Sequence, residues 1–333
     1  MKLLLDAGSG GKASSRLIHD LFERYFGNPI LSRMDDAAYL DVHGPIAMST
    51  DSYIVTPPVF PGGTIGTLAV HGTVNDIAML GARPKYLSCG FILEEGLDLD
   101  LLETVVASMA DAAKSAGVLI VTGDTKVVNK GACDTIFINT AGIGEIYADP
   151  APSGHSAQPG DAVLLSGYMG DHGIAVMAAR NDFSFSTDIK SDSAALHRLI
   201  ERLITEVGEI HVLRDPTRGG VATTLNEIAE QSGMRIEINE NALPVRESTK
   251  ACSDMLGLDP LYLANEGKLL CFLPMDKAEQ ALSVMRSDPL GKDASVIGEV
   301  TDTSENGLVV LKTLLGGKRI LKMLEGAPLP RIC

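Results

Sequence analysis

The residues of this 333-residue chain with the most chemistry in them are acidic, and one is a thiol: Asp35, Asp36, Asp51, Asp76, Asp124 and the last residue, Cys333. The aspartates stand in DDAA, TDS, VNDIAM and GDT, read as the ends of strands and helices. Mg²⁺ takes oxygen ligands, usually one or two carboxylates with water and substrate phosphate completing the shell, and aspartates converging from several loops suit it. Taken singly, each is better explained as a cap or turn former. Asp76 resists that reading, because Val74, Ile77, Met79 and Leu80 surround it and an unpaired carboxylate there would be costly. Cys333 closes the arm Gly326-Ala-Pro-Leu-Pro-Arg-Ile-Cys333. Pro328 and Pro330 keep that arm out of any helix or central strand, so it should run extended for roughly 25 Å at about 3 Å per residue. A terminal thiol is a poor core residue and a good handle.

Two glycine-rich turns add anion-binding potential. Gly8-Ser-Gly-Gly-Lys12 fails as a Walker loop, since Asp6 occupies the first glycine position, and it lacks the full preceding strand of a dinucleotide fingerprint. It reads as an arm whose N–H groups and Lys12 could fold over a triphosphate, or as a mobile end. Arg214-Asp-Pro-Thr-Arg-Gly-Gly220 opens a helix, whose free N–H groups and dipole attract anions; a plain packing turn is the competing explanation. Histidines show no metal-ligand spacing, and only His71, near Asp76, merits attention.

These groups need a scaffold of ordinary globular composition. Hydrophobic residues make up 45%, enough for about two domains with their own cores. Five cysteines without a CxxC pair argue against a disulfide framework or a zinc knuckle. The net charge of -15 disfavours nucleic acid and anionic membrane, and any phosphate ligand would need cations beside it. Lys2 precedes only three leucines and no apolar run approaches bilayer length, so a cytoplasmic protein is expected.

Strands are expected at 46–50, 118–122, 135–141 and 162–166. Helical apolar spacing covers Leu99 to Ala113, stopping at Gly117, then Leu196 to Val207, and Val221 to Ala229, stopping at Gly233. Pro, Gly and Ser cluster at 149–160. This gives residues 1–152 and 153–325 as two mixed α/β domains and 326–333 as a flexible tail ending in the cysteine.

In this order and spacing, DDAA, TDS, VNDIAMLGARP, GDTKV, DPTRGG and the terminal PRIC resemble the HypE family of hydrogenase maturation proteins over essentially the whole chain. The wider superfamily includes aminoimidazole ribonucleotide synthetase, selenophosphate synthetase and thiamine-phosphate kinase. Ser9 and Gly10 stand where selenophosphate synthetases carry a reactive Cys or Sec, which weakens the selenium reading. The resemblance implies an α/β (α+β) fold of two mixed α/β domains of the aminoimidazole ribonucleotide synthetase-like type, with N-terminal sheets pairing across a homodimer and ATP in a cleft lined by the acidic loops. It implies that a carbamoyltransferase, HypF, loads Cys333, that ATP drives dehydration of the S-carbamoyl group to thiocyanate, and that cyanide passes to iron on a HypC–HypD complex for a [NiFe] hydrogenase.

The same resemblance distributes the roles. Asp35, Asp36, Asp51, Asp76 and Asp124 would hold Mg²⁺. Lys12, Asp51, Ser52, Thr73, Asn75 and Thr125 would contact ATP from the N-terminal half, and Asp215, Thr217, Arg218 and Gly219 from the C-terminal half. Lys126 and Glu266 match positions near the docked cysteine; Glu266, expected to be already ionised, is favoured as base and Lys126 as orienter. Two rivals remain: a small-molecule synthetase or kinase of the same superfamily, and a non-catalytic nucleotide-binding carrier.

Overall fold

The structure is a computed structural model that describes residues 2–8, 11–180 and 187–324; the PRIC arm with Cys333, and Ser9 and Gly10, lie outside the described residues. The chain begins with α1 (Gly11–Leu17) and the single turn α2 (Arg24–Phe26), and Phe22 and Phe26 pack this segment onto the first domain. That domain holds β1 (Ile46–Tyr53), a short hairpin of β2 (Val59–Phe60) and β3 (Gly63–Thr64), α3 (Ile65–Met79), β4 (Ala82–Glu94), α4 (Leu99–Ala116), β5 (Leu119–Val128) and β6 (Ile136–Ile146). Its sheet runs β1-β6-β4-β5, antiparallel except for the parallel β4–β5 pair that α4 connects.

The second domain comprises β7 (Asp161–Leu165), α5 (Asp171–Ala179), α6 (His197–Val207), β8 (Val212–Arg214), α7 (Gly220–Ser232), β9 (Met234–Asn239), α8 (Glu247–Leu256), β10 (Leu270–Pro274), α9 (Ala278–Arg286), β11 (Ser295–Thr303), β12 (Leu308–Lys312) and β13 (Lys318–Ile320). Its seven strands run β13-β12-β9-β11-β7-β10-β8.

Local chemistry explains the main elements. The Asp98 side chain accepts the Asp100 N–H and starts α4, and Gly117, in the left-handed region at φ +72°, ends it. Between them Leu102, Val105, Val106 and Met109 recur at helical spacing and are completely buried, each contributing about 1.5–3 kcal/mol. α3 is apolar all round because it lies between layers: the sheet on one side, α4 and α6 on others. Thr64 starts it with a reciprocal cap, accepting from the Gly66 and Thr67 N–H groups while Thr67 Oγ1 accepts from its own.

One core cluster crosses from the first domain into the second. Ile174 to Met177 of α5, Leu263 and Ala264 pack into the same buried cluster as Leu68, Val74 and Leu102 of the first domain. The junction between the domains is therefore an interior in which polar groups must be paired. Among the described residues, Cys89, Cys133, Cys252 and Cys271 are free and buried, and no helix is long and apolar enough to cross a membrane.

Candidate active site

The acidic motifs are placed differently from the expectation of loop aspartates. Asp51 and Asp124 lie within β1 and β5, and Asp76 lies in α3. In a strand, alternate side chains face opposite sides, and this splits the candidate set in two.

On the helix-facing side of β1, Ser49 Oγ donates to Asp76 Oδ2 at 2.6 Å, and Asp51, two residues on, shares that face. Asp215, just after β8, and Glu266, in the segment before β10, complete the group. Burial pushes the Asp76, Asp215 and Glu266 carboxyls above their ordinary range, Asp215 to about 7. Mutual charge adds to it: Asp51 acts on all three, Asp76 on Asp215 and Glu266, and Asp215 on Glu266. Ser49 and Arg214 offset the effect at Asp76. Such an accumulation of negative charge at a cleft is a demand for a cation.

The cleft itself holds about 530 Å³ and is lined by Ser49, Asp76, Arg214, Asp215, Thr217 and Arg218, among others. Gly219 and Gly220, at φ +81° and +65°, turn the chain into α7 there, and a Cβ on Gly220 would stand 2.5 Å from the Leu261 carbonyl oxygen. The DPTRGG turn therefore does open a helix, and its glycines also allow the 261–266 segment to press against it. Asn265 locks the two together: its Nδ2 donates to the Pro216 carbonyl at 2.9 Å and its Oδ1 accepts from Gly170 N–H at 2.8 Å.

Ser52, Asp124 and Lys126 lie apart, lining a hollow on the open face of the four-stranded sheet with Asn139. Asn139 Nδ2 donates to Ser52 Oγ at 3.0 Å, and Lys126 Nζ donates to Asp124 at 2.8 Å, which holds that carboxyl below its ordinary range. Asp124, Thr125 and Lys126 also border a separate, mostly apolar cavity of about 290 Å³ beneath α1 and α2. Within one chain, then, Lys126 and Glu266 are on different sides of the sheet. Asp35 and Asp36 are exposed in an irregular segment well before β1, with Asp35 paired to Arg33 at 2.9 Å. Among the described residues no three His, Cys, Asp or Glu side chains are arranged to hold a metal ion. Asp51 and Asp76 are the carboxylates whose charge acts on Asp215, and a cation beside them would take the rest of its shell from water and phosphate.

Three of the expected residues sit in surroundings that the sequence does not show. Thr73 and Asn75 are completely or almost completely buried and already bonded: Thr73 to Thr140 at 2.7 Å, and Asn75 through Oδ1 from Leu196 N–H at 2.8 Å and through Nδ2 to Ala194 O at 3.0 Å. They fasten α3 to β6 and to the second domain, and neither side chain faces the cleft. Glu266, 3% exposed, differs from the expectation of an ordinary ionised glutamate: burial and then four neighbouring carboxylates push its carboxyl well above the usual range. Lys12 is exposed on α1. His71 is a hook between domains, its Nδ1 2.9 Å from Ser193 Oγ, and burial with nearby His197 lowers its pKa to about 4. Sequence alone does not single out Ser49, Asp192 and Lys268; nothing in STDS, KSDSAAL or EGKLL distinguishes them from an ordinary strand and loop.

Two mixed α/β domains joined on a carboxylate cleft, with a glycine-opened helix at its rim, define an AIR synthase-related protein. Residues 34–146 match the AIR synthase related protein N-terminal domain and 158–311 its C-terminal domain. The chain belongs to the HypE family of carbamoyl dehydratases. It is 50% identical over 327 residues to carbamoyl dehydratase HypE of Azotobacter vinelandii, covering 98% of this chain and 96% of that protein. A crystal structure of hydrogenase maturation protein HypE in complex with ATP superposes with a TM-score of 0.96 at 64% identity, covering 99% of this chain and all of that one. A HypE–HypF complex gives 0.81 at 52%, covering 92% and 99%.

Proposed function

We propose that this chain is an ATP-dependent carbamoyl dehydratase that converts an S-carbamoyl group on Cys333 to a thiocyanate and supplies cyanide for a [NiFe] hydrogenase centre. The observation that carries this is the family membership over the full chain, together with Asp76 and Asp215 lining one cleft and the charges of Asp51, Asp76 and Asp215 acting on buried Glu266. The net reaction needs oxide, a very poor leaving group, to depart from carbon. The carbonyl oxygen forms a bond to the γ-phosphorus of ATP as ADP leaves, and an N–H proton is lost. The C–O bond then breaks, phosphate taking its electron pair; the second N–H proton leaves, and R–S–C≡N remains.

The chain's own groups meet these demands. The N-terminus of α7, Thr217, Arg218 and the arm bearing Lys12 present N–H groups and positive charge to the triphosphate. Glu266, in a site that raises its proton affinity, is the base, and Lys126 orients the substrate. Mg²⁺ held by Asp51, Asp76 and Asp215 would supply charge against the transferring phosphoryl group. We assign Asp35, Asp36 and Asp124 no metal ligation within one chain.

The partners follow the same reading: HypF as the carbamoyl donor, an iron-carrying HypC–HypD complex as acceptor, and a cytoplasmic setting. A homodimer is favoured by the open face of the four-stranded sheet, where Met48 and Ile92 are 69% and 43% exposed. Pairing of these faces would also enclose Lys126. The test is the intact mass of the C-terminal peptide after incubation with carbamoyl phosphate, active HypF and Mg-ATP, beside Cys333→Ala. A carbamoyl adduct that loses one water only with ATP supports the function. An unmodified tail would return Cys333 to an incidental end.

A further inference from the structure

The segment that carries Glu266 is held from behind by the strap between α5 and α6. Asp192 Oδ1 accepts the Glu266 N–H at 3.0 Å, and the Ala194 N–H donates to the Glu266 carbonyl at 3.3 Å. Both backbone groups of Glu266 are thus fixed by the same strap. The Asp192 side chain is only 6% exposed and its Oδ2 is 3.0 Å from Lys268 Nζ, itself 11% exposed. Lys268 Nζ also donates to the Gly267 carbonyl at 3.0 Å, so the ion pair closes a loop around the peptide that follows Glu266. Gly267 leaves no alternative packing, since a Cβ there would collide with the Asp192 carbonyl oxygen. The strap is anchored to both domains: Ser193 to His71 at 2.9 Å, Ser191 to His172 at 2.8 Å, and Ser191 N–H to the Pro61 carbonyl at 2.8 Å.

A buried Asp–Lys pair is a costly way to hold two elements together, because apolar residues of similar size often do it as well. What it adds is direction: a charged acceptor aimed at one N–H fixes that peptide in one orientation. We propose that Asp192 is a positioning residue for the dehydration, holding the Glu266 peptide, with Lys268 holding Asp192, so that the Glu266 side chain is kept at a fixed place near Asp51, Asp76 and Asp215. This rests on the reading of Glu266 as base.

The test compares Asp192→Ala/Lys268→Met, which removes both buried charges and the acceptor, with Asp192→Asn/Lys268→Met, which removes the charges and keeps a carbonyl oxygen facing the Glu266 N–H. Melting temperature and ATP binding report folding. For the carbamoylated protein, the Ala/Met variant should lose roughly 10- to 100-fold in kcat, the scale of a misplaced catalytic group, with KM for ATP within about threefold. The Asn/Met variant should recover most of the loss. In a Glu266→Gln background the Ala/Met change should cost nothing further, because the residue it positions is gone. Full kcat in Ala/Met, equal loss in Asn/Met, or undiminished loss in the Gln background overturns the inference while an inactive Glu266→Gln leaves the base assignment standing. Normal turnover by Glu266→Gln overturns that assignment and the inference with it.

Discussion

The Ser49 hydroxyl donates to the Asp76 carboxylate at 2.6 Å, joining the first strand to α3 at the floor of the cleft. This is a contact that favours the ionised form of Asp76 against burial and the charge of Asp51. A hydrogen bond to a charged group is worth about 1.5–3 kcal/mol. Ser49→Ala should therefore raise the Mg²⁺ concentration needed for half-maximal dehydration by about tenfold near pH 7, with turnover at saturating Mg²⁺ little changed. A Mg²⁺ titration of the mass-loss assay measures this, and an unchanged midpoint would remove Asp76 from the cation site.

The raised carboxyls make the site a source of instability. A carboxyl whose folded pKa lies above its unfolded value favours the native state while protonated and loses that contribution as pH rises from about 4 through the folded value. For Asp215 that upper limit is about 7. Asp215→Asn and Glu266→Gln should both melt higher than the parent at pH 7.5, by several degrees, and the difference should vanish near pH 4. Melting scans across pH without nucleotide give the answer; a gain that persisted at pH 4 would mean a cause other than charge.

Glu237 on β9 behaves in the opposite sense. Lys312, Lys318 and Arg235 surround its 7% exposed carboxylate and hold its pKa down to about 2. The stabilisation is present above about pH 4.5 and is lost as pH falls toward 2. Since Lys312 and Lys318 are themselves 36% and 53% exposed, screening reduces the effect, and Glu237→Gln should cost about 1–3 kcal/mol at pH 7 and little at pH 2. Chemical denaturation at the two pH values tests it.

Gly220 tolerates no side chain. Its φ is positive, and a Cβ there would stand 2.5 and 2.6 Å from the Leu261 and Leu263 carbonyl oxygens, which leaves alanine no place. Gly220→Ala should destabilise by more than about 3 kcal/mol and abolish ATP binding. Denaturant midpoints and a nucleotide titration read both; a stable, ATP-binding Ala variant would refute the close approach of the two segments.

Met48→Glu with Ile92→Glu places charge on the open sheet face and should give a monomer by light scattering, with the melting transition of each chain retained above room temperature. A dimer that survived both changes would place the homodimer contact elsewhere.

Much of the architecture could be read along the chain. α4 follows from a three-and-four apolar repeat between Asp98 and Gly117, and α7 from DPTRGG and Gly233, because caps and glycine stops act within one turn. Strand ends were less legible: GDT and TDS look like loops, since Asp and Gly favour turns, yet cross-strand pairing with β4 and β6 carries β5 and β1 through them. The motif order and the terminal Cys333 placed the chain in its family, for which composition alone would not suffice.

The division of the site was decided only in three dimensions. That Asp51 and Asp76 act on Asp215 and Glu266 while Ser52, Asp124 and Lys126 fall on the other side depends on the two-residue alternation of β1 and β5 and on which sheet face receives the second domain. Thr73 and Asn75 look the same in sequence whether they face a ligand or a neighbouring element; in the fold both are buried and bonded to neighbouring elements. Residue type fixes what a group can do, since a carboxylate can take a cation, a proton or an N–H. Which of these Asp76, Glu266 and Asp192 each does is set by the charges and peptides that the fold brings within a few ångströms, from positions far apart along the chain.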